Sequence, residues 1–130
     1  MNRDYYTYDN IRASVCDGAA LLFLTDYGIN KYGKIAFINL CDEGNEISAG
    51  EPFGDCEAAK GVFDLISPVS GEVVRVNDEV LNDINLLTEK TFLAEIKISE
   101  IADNLLNYDD YIKYTKTKEA MFQSPRNRKI

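Results

Sequence analysis

The residue with the plainest chemical opportunity is Lys60, which stands in the run Gly54-Asp55-Cys56-Glu57-Ala58-Ala59-Lys60-Gly61-Val62-Phe63-Asp64. Small residues flank a single lysine and a glycine follows it. One strand-like run enters the segment and another leaves it, the pattern of a tight hairpin with the lysine at its tip. An amine at such a tip is within reach of a modifying enzyme. Acylation there would remove the charge and add a long, flexible stem. Composition and periodicity alone do not lift Lys60 above an ordinary solvated loop lysine, and Glu57 with Lys60 as an isolated Glu-x-x-Lys carries no information.

Other chemistries find little support. The chain has no histidine, which removes the commonest general base and the commonest zinc ligand together. Its 3 cysteines, Cys16, Cys41 and Cys56, show neither metal-ligand spacing nor a Cys-x-x-Cys pair. Their odd number fits free thiols in a reducing compartment. The formal net charge of −8 argues against nucleic acid, since phosphate contacts need clustered Lys and Arg. It is compatible with docking onto a basic protein surface.

The elements that must position Lys60 read mainly as strands. At 130 residues and 45% hydrophobic, the chain fits one globular domain. The longest apolar run, Ala19 to Leu24, falls far short of the ~20 residues a membrane-spanning helix needs. Met1 to Asp9 lacks the apolar core of a signal peptide. A cytoplasmic protein, or a mature organellar one whose leader is gone, is the expectation. The body, about 13–98, reads as short strands at 19–24, 35–40, 51–53, 61–66, 72–76 and 91–98, with Gly-containing breaks between them. That spacing suggests a sandwich or barrel. A helix over 25–32 has Thr25 or Asp26 to start it and Gly33 just past its end. A second helix is expected over about 99–120, with Ser99 as its cap and Ile101, Leu105, Leu106, Tyr108, Tyr111 and Ile112 at helical spacing. Residues 123–130 are expected to form a mobile tail.

A wider set of residues brings in a family resemblance. Thr25-Asp26-Tyr27-Gly28, Tyr32-Gly33-Lys34-Ile35, Glu43-Gly44, Ala49-Gly50-Glu51-Pro52-Phe53-Gly54, Glu57-Ala58-Ala59-Lys60, and Ser67-Pro68-Val69-Ser70-Gly71-Glu72-Val73-Val74-Arg75-Val76-Asn77 together resemble the glycine cleavage H proteins, nearly in register from about Ala19 to Asn77. The resemblance implies a mainly β barrel-sandwich hybrid of the lipoyl-domain type with lipoate on Lys60. It further implies that Glu57, Gly44 and Gly71 serve recognition by the lipoylating enzyme, and that Asp64 is a neighbour of the arm site. For the two glycines a purely structural role, a turn with positive φ, stands beside the recognition role. Two family elements have no counterpart. Tyr6-Thr7-Tyr8-Asp9-Asn10-Ile11-Arg12-Ala13 replaces a His-Glu-Trp segment, and Leu87-Thr88-Glu89-Lys90-Thr91-Phe92-Leu93 lacks the family's glycines and tryptophan.

As a member of that family the chain would be a non-catalytic, monomeric carrier with no metal. It would shuttle an aminomethyl group from the P protein, the glycine decarboxylase, to the T protein, with reoxidation by the L protein. A lipoate ligase or lipoyl transferase would load it. Three alternatives remain beside this one. They are an H-like lipoyl relay serving lipoate transfer or another lipoyl-dependent enzyme, a biotin carrier, and an unmodified H-like binding module. The second lacks its usual Met-Lys-Met, and the retention of Glu57, Lys60 and Gly71 counts against the third.

Overall fold

In the computed structural model, backbone is described for residues 2–128 and side chains for residues 2–119. The strands, in chain order, are β1 (Arg3–Tyr6), β2 (Ile11–Cys16), β3 (Ala19–Leu24), β4 (Ile35–Leu40), β5 (Glu46–Ile47), β6 (Pro52–Ala58), β7 (Gly61–Ile66), β8 (Val69–Val76) and β9 (Ala94–Ile101). The helices are α1 (Asp26–Tyr32), α2 (Asp78–Asn82) and α3 (Tyr108–Arg128), with a 3₁₀ turn at Ile84–Leu86. All strand pairings are antiparallel. One sheet has the order β1-β2-β3-β9-β8-β5, the other β4-β6-β7. The mainly β, two-layered architecture expected from the strand spacing is present.

The core lies between the two sheets. The larger sheet contributes Ile11, Leu22, Leu24, Val73 and Ile96, and the smaller one Ile38, Phe53, Cys56 and Leu65, all buried. Each such aliphatic or aromatic side chain stabilises the fold by roughly 1.5–3 kcal/mol relative to exposure. Strict alternation is broken where a bulge inserts a residue. On β6 the register shifts between Pro52 and Gly54, so Phe53 and Cys56 both face inward although they lie three apart.

The corner between the sheets is built by Ser67-Pro68-Val69. Ser67 is buried, its hydroxyl donates to the Val69 carbonyl at 2.7 Å and accepts from the Val69 N–H at 3.2 Å. The Ser70 hydroxyl accepts from Ala49 N–H at 2.8 Å, tying the corner to the turn before β6. At the far end of β8, the Asn77 side chain donates to the Phe92 carbonyl at 2.8 Å. The Pro-Val-Ser-Gly-Glu-Val run is therefore mostly architectural. Gly71 is buried in β8, where a Cβ would collide with the Lys97 carbonyl of β9.

Several expected boundaries move. The body begins at Arg3 and not near Ala13, because β1 and β2 add to the larger sheet. The helix expected from Ser99 begins at Tyr108 instead. Residues 94–101 continue as strand because β8 offers a register out to Val69↔Ile101. Leu106 then makes an isolated bridge to Tyr6, with backbone bonds of 2.8 Å both ways. Asn107, not Ser99, caps α3, its side chain accepting from Asp110 N–H at 2.8 Å, and Asp109 and Asp110 give the first turn its acidic charge. The expected tail over 123–130 falls partly in α3, whose backbone runs to Arg128; Lys129 and Ile130 lie outside the described residues.

Gly71→Ala is expected to lower the unfolding free energy by about 3 kcal/mol, as overpacking against fixed backbone does. Gly44→Ala, which meets open space at φ +91°, should cost only about 1 kcal/mol for its left-handed backbone. Urea melts of the two variants check this, and equal losses would refute the collision at Gly71.

Candidate functional site

The β6–β7 hairpin closes at Ala58↔Gly61, which leaves Ala59 and Lys60 as its two-residue tip. Lys60 is exposed. The tip does not stand free. Ala59 N–H donates to the Lys34 carbonyl at 2.8 Å, and Lys60 N–H to the Tyr32 carbonyl at 3.3 Å. Tyr32 ends α1, so its carbonyl is one of the groups a helix terminus leaves without an intrahelical partner. Gly33 lies between the two acceptors at φ +81°. A Cβ there would sit 3.3 Å from the Ala59 Cβ and 3.6 Å from the Lys60 Cγ. Glycine at this position lets the helix end turn away while the hairpin tip rests on it.

A chain of buried polar groups holds α1 in place. Thr25 caps the helix, its hydroxyl oxygen accepting from Gly28 N–H at 3.1 Å. The same hydroxyl lies 2.7 Å from the Tyr111 hydroxyl of α3, which donates to Asn10 Oδ1 at 2.9 Å. The Asn10 side-chain amide in turn donates to the Tyr32 hydroxyl at 3.4 Å. Since Tyr111 has one proton and gives it to Asn10, Thr25 must donate to Tyr111. Tyr32 stacks on Phe63 of β7, ring centroids 4.1 Å apart and 16° from parallel. Tyr6 of β1 stacks on Tyr111 at 5.0 Å. Groups from β1, the β1–β2 turn, α3 and β7 are thus joined to α1, on whose last residue the tip rests.

Burial sets the titration of these groups. Tyr111 is pushed up to about 12, chiefly by burial, with the Thr25 hydrogen bond working in the opposite direction. Tyr32 is raised for the same main reason. Cys56 lies on the inner face of β6, fully buried, and its thiol is raised to about 11 by burial and then by the charges of Asp55 and Glu57. It stays protonated at neutral pH and is a poor nucleophile.

Of the residues expected at the site, Glu57 and Asp64 share the outer face of the small sheet near Lys60. Gly71 belongs instead to the larger sheet, and Gly44 to the turn before β5 that leans on it, its N–H donating to the Val73 carbonyl of β8 at 2.7 Å. An open groove of about 900 Å³, lined by Ser48, Ser67, Ser70 and Asp103 among others, lies by the corner after Ile66, at the end of β7 away from the tip. Among the described residues no group of three or more His, Cys, Asp or Glu is placed to hold a metal, and no helix is long and apolar enough to cross a membrane. Sequence reasoning missed Asn10, Tyr32, Phe63 and Tyr111 as parts of the site. Only Thr25 carried a signal, as a helix cap.

Two antiparallel sheets folded over one core, with a single lysine held out at a hairpin tip, define a barrel-sandwich hybrid of the lipoyl-domain class. The family model described as "Glycine cleavage H-protein" matches residues 5–118, and the chain belongs to that family. It is 38% identical over 114 residues to the glycine cleavage system H protein of Carboxydothermus hydrogenoformans, covering 83% of this chain and 88% of that one. To the Streptomyces coelicolor H protein it is 35% identical over 102 residues, covering 75% and 82%. The crystal structure of a glycine cleavage system H protein from Mycobacterium marinum superposes with a TM-score of 0.77 at 25% identity, covering 89% of this chain and 96% of that one.

The buried phenols and thiol give stability a defined pH dependence. Raised folded-state values mean that the folded chain holds protons the unfolded chain has lost, so stability is full below the unfolded values and falls as pH rises. The melting temperature should be flat between pH 7 and about 8.5 and decline between about 9 and 12. Tyr111→Phe should lower stability at pH 7 by about 1–3 kcal/mol, because Asn10 Oδ1 and the Thr25 hydroxyl lose their partner. It should also flatten the decline above pH 10. An unchanged slope in the variant would show that Tyr111 does not titrate as described.

Proposed function

We propose that this chain is a lipoyl carrier of glycine cleavage, with lipoate in amide linkage to the Lys60 Nζ and all 130 residues acting as one carrier domain. The observation that carries the reading is the pinned tip. Lys60 projects into solvent while its own backbone N–H and that of Ala59 are fixed to the end of α1. Among the described residues no carboxylate lies within salt-bridge distance of the Lys60 amine. Acylation therefore removes a charge that no carboxylate among the described residues depends on.

Lipoate, when attached, supplies the disulfide and dithiol chemistry of the cycle. The chain supplies position and restraint. Hydrogen bonds at Ala59 and Lys60 give the arm a fixed root, so its reach is set by the arm and not by a loose loop. Tethering raises the effective concentration of the arm's end at each enzyme it visits. Cys56, the thiol nearest the tip in sequence, is buried and protonated, so it does not compete in exchange with the arm. The carrier needs no catalytic residue of its own. Its partners in this reading are the P, T and L proteins and a lipoate ligase or lipoyl transferase, with Glu57 offered to the last of these. The chain works in this reading as a cytoplasmic monomer.

Incubation with a lipoate ligase, ATP and lipoate, followed by intact-mass and peptide mass spectrometry, should give a single lipoyl adduct on Lys60. Lys60→Ala should give none and melt within about 2 °C of the wild type, since an exposed substitution of this kind changes stability by less than about 0.5 kcal/mol. The loaded carrier should then support glycine decarboxylation by the P protein; a loaded carrier that does not would point to the relay. A folded wild type that takes no adduct from an active ligase would leave the unmodified binding module in its place.

A further inference from the structure

Tyr32 touches the Lys60 hairpin at two separate points. Its carbonyl accepts from Lys60 N–H at 3.3 Å, and its ring stacks on Phe63, centroids 4.1 Å apart and 16° from parallel. Phe63 stands opposite Cys56 across β6–β7, so the ring meets the hairpin on its inward side, behind the tip. Tyr32 is itself anchored. It is 5% exposed, and its hydroxyl accepts from the Asn10 side chain, which in turn accepts from Tyr111 of α3. One contact at a turn leaves a hairpin free to pivot about it. A second contact, several bonds away on the same anchored residue, removes that freedom. The N–H bond fixes where the tip lies, and the stack fixes the tilt of the strand that leaves it. The arm departs from the Lys60 Cα, so the tilt of the hairpin sets the direction of the arm's first bonds.

We infer that Tyr32 is the positioning residue for acylation of Lys60, its ring and carbonyl together holding the root of the lysine side chain in one direction. The inference rests on the reading of Lys60 as the lipoylated residue. In that step the Lys60 Nζ attacks the carbonyl carbon of an acyl adenylate made from ATP and lipoate. The amide N–C bond forms, the C–O bond to the phosphate breaks, AMP leaves with its electron pair, and the amine, neutral when it attacks, gives up one proton to the medium. Tyr32 touches none of the reacting atoms. It acts through the hairpin. A root already fixed by folding has little orientational freedom left to lose when Nζ is aligned with the acyl carbon. The effect therefore falls on the transfer itself and not on capture of the carrier by the enzyme. A residue that mattered only for stability would alter neither once the chain is folded.

The test joins amide hydrogen exchange of the unmodified full chain to single-turnover transfer from a preformed complex of lipoate ligase and lipoyl adenylate, with the ligase complex in excess and its concentration varied. Tyr32→Leu should speed exchange at the Ala59 and Lys60 amides about tenfold. It should lower the maximal transfer rate about tenfold and leave the half-saturating concentration unchanged. Phe63→Leu removes the same stack from the hairpin side and should do the same. Tyr32→Phe keeps the ring and the carbonyl and should restore the maximal rate to within about twofold of wild type, since it loses only one long hydrogen bond. Ile47→Ala opens the core at β5, in the larger sheet. It should lower the melting temperature and leave both tip exchange and transfer at wild-type values. Circular dichroism establishes that each variant is folded at the assay temperature. A wild-type maximal rate in both leucine variants, or a raised half-saturating concentration in place of a slower rate, overturns the inference and leaves the lipoyl reading standing. So does an equal loss in Ile47→Ala, which would make the effect one of stability, or unprotected Ala59 and Lys60 amides in the wild type. A wild type with no adduct on Lys60 overturns both.

Discussion

The arrangement around Lys60 depends on one contact, that of the hairpin tip with the end of α1. Two backbone N–H groups at a tight turn meet the carbonyl of Tyr32, the last residue of α1, and that of Lys34 just before β4, across a glycine that leaves room for them. Each partner answers the other's deficit. A helix end has carbonyls without intrahelical donors, and a two-residue turn has N–H groups that the strand ladder does not use. The contact joins the smaller sheet, through its hairpin, to the helix that follows β3 of the larger one. Loss of it would leave β6 and β7 paired with each other but their tip undirected.

The contact is only as firm as α1, a helix of seven residues. A helix that short has little stability of its own, and its position comes from what grips it. The Thr25, Tyr111, Asn10 and Tyr32 chain does this with three successive hydrogen bonds between buried side chains. In the low-dielectric interior such bonds are stronger than in water and favour a single arrangement of the groups that make them. Tyr111 comes from α3, so the last helix of the chain takes part in setting the root of the proposed arm. The segment containing Asn10 is also where the family's His-Glu-Trp run is missing, and here it serves to bridge α1 and α3.

Much of the architecture was legible in the residues, and the parts that were not share a cause. The cap and stop of α1 are local chemistry, read from Thr25 and Gly33. β3, β4 and β7 show as apolar or alternating runs between turn signals. β1 was missed because Arg-Asp-Tyr-Tyr has no alternation of its own; it is a strand because β2 lies beside it. The register of β9 out to Ile101 depends likewise on β8, so the helical spacing seen from Ile101 onward misled. At the site, Lys60 and Glu57 were visible as a motif. Asn10 and Tyr111, separated by 101 residues and joined by one hydrogen bond, left no sequence signal, since nothing local distinguishes a tyrosine that will be buried from one that will not. For Gly71 the sequence offered a positive-φ turn beside a recognition role, and gave no sign of the close approach of the Lys97 carbonyl, which is a structural reason for glycine that only the packing of β8 on β9 reveals.

Charge and rigidity combine in this design. A carrier must be handled by several enzymes in turn and retained by none, so its contacts need to be selective and reversible. With a net charge of −8, approach to basic surfaces is accelerated and the complexes respond to salt, features of recognition that favour encounter over long residence. The chain keeps its polar network inside, where it fixes geometry, and leaves on the outside a pinned lysine beside a small patterned face. The interior of the small sheet and its exterior carry separate duties on the same strands. Cys56 and Phe63 face in toward Tyr32 and the core, while Glu57 and Val62, each one residue along, face out toward whatever enzyme meets the tip. The period of two in a strand is what allows one short hairpin both to be rooted in the fold and to be read from solvent.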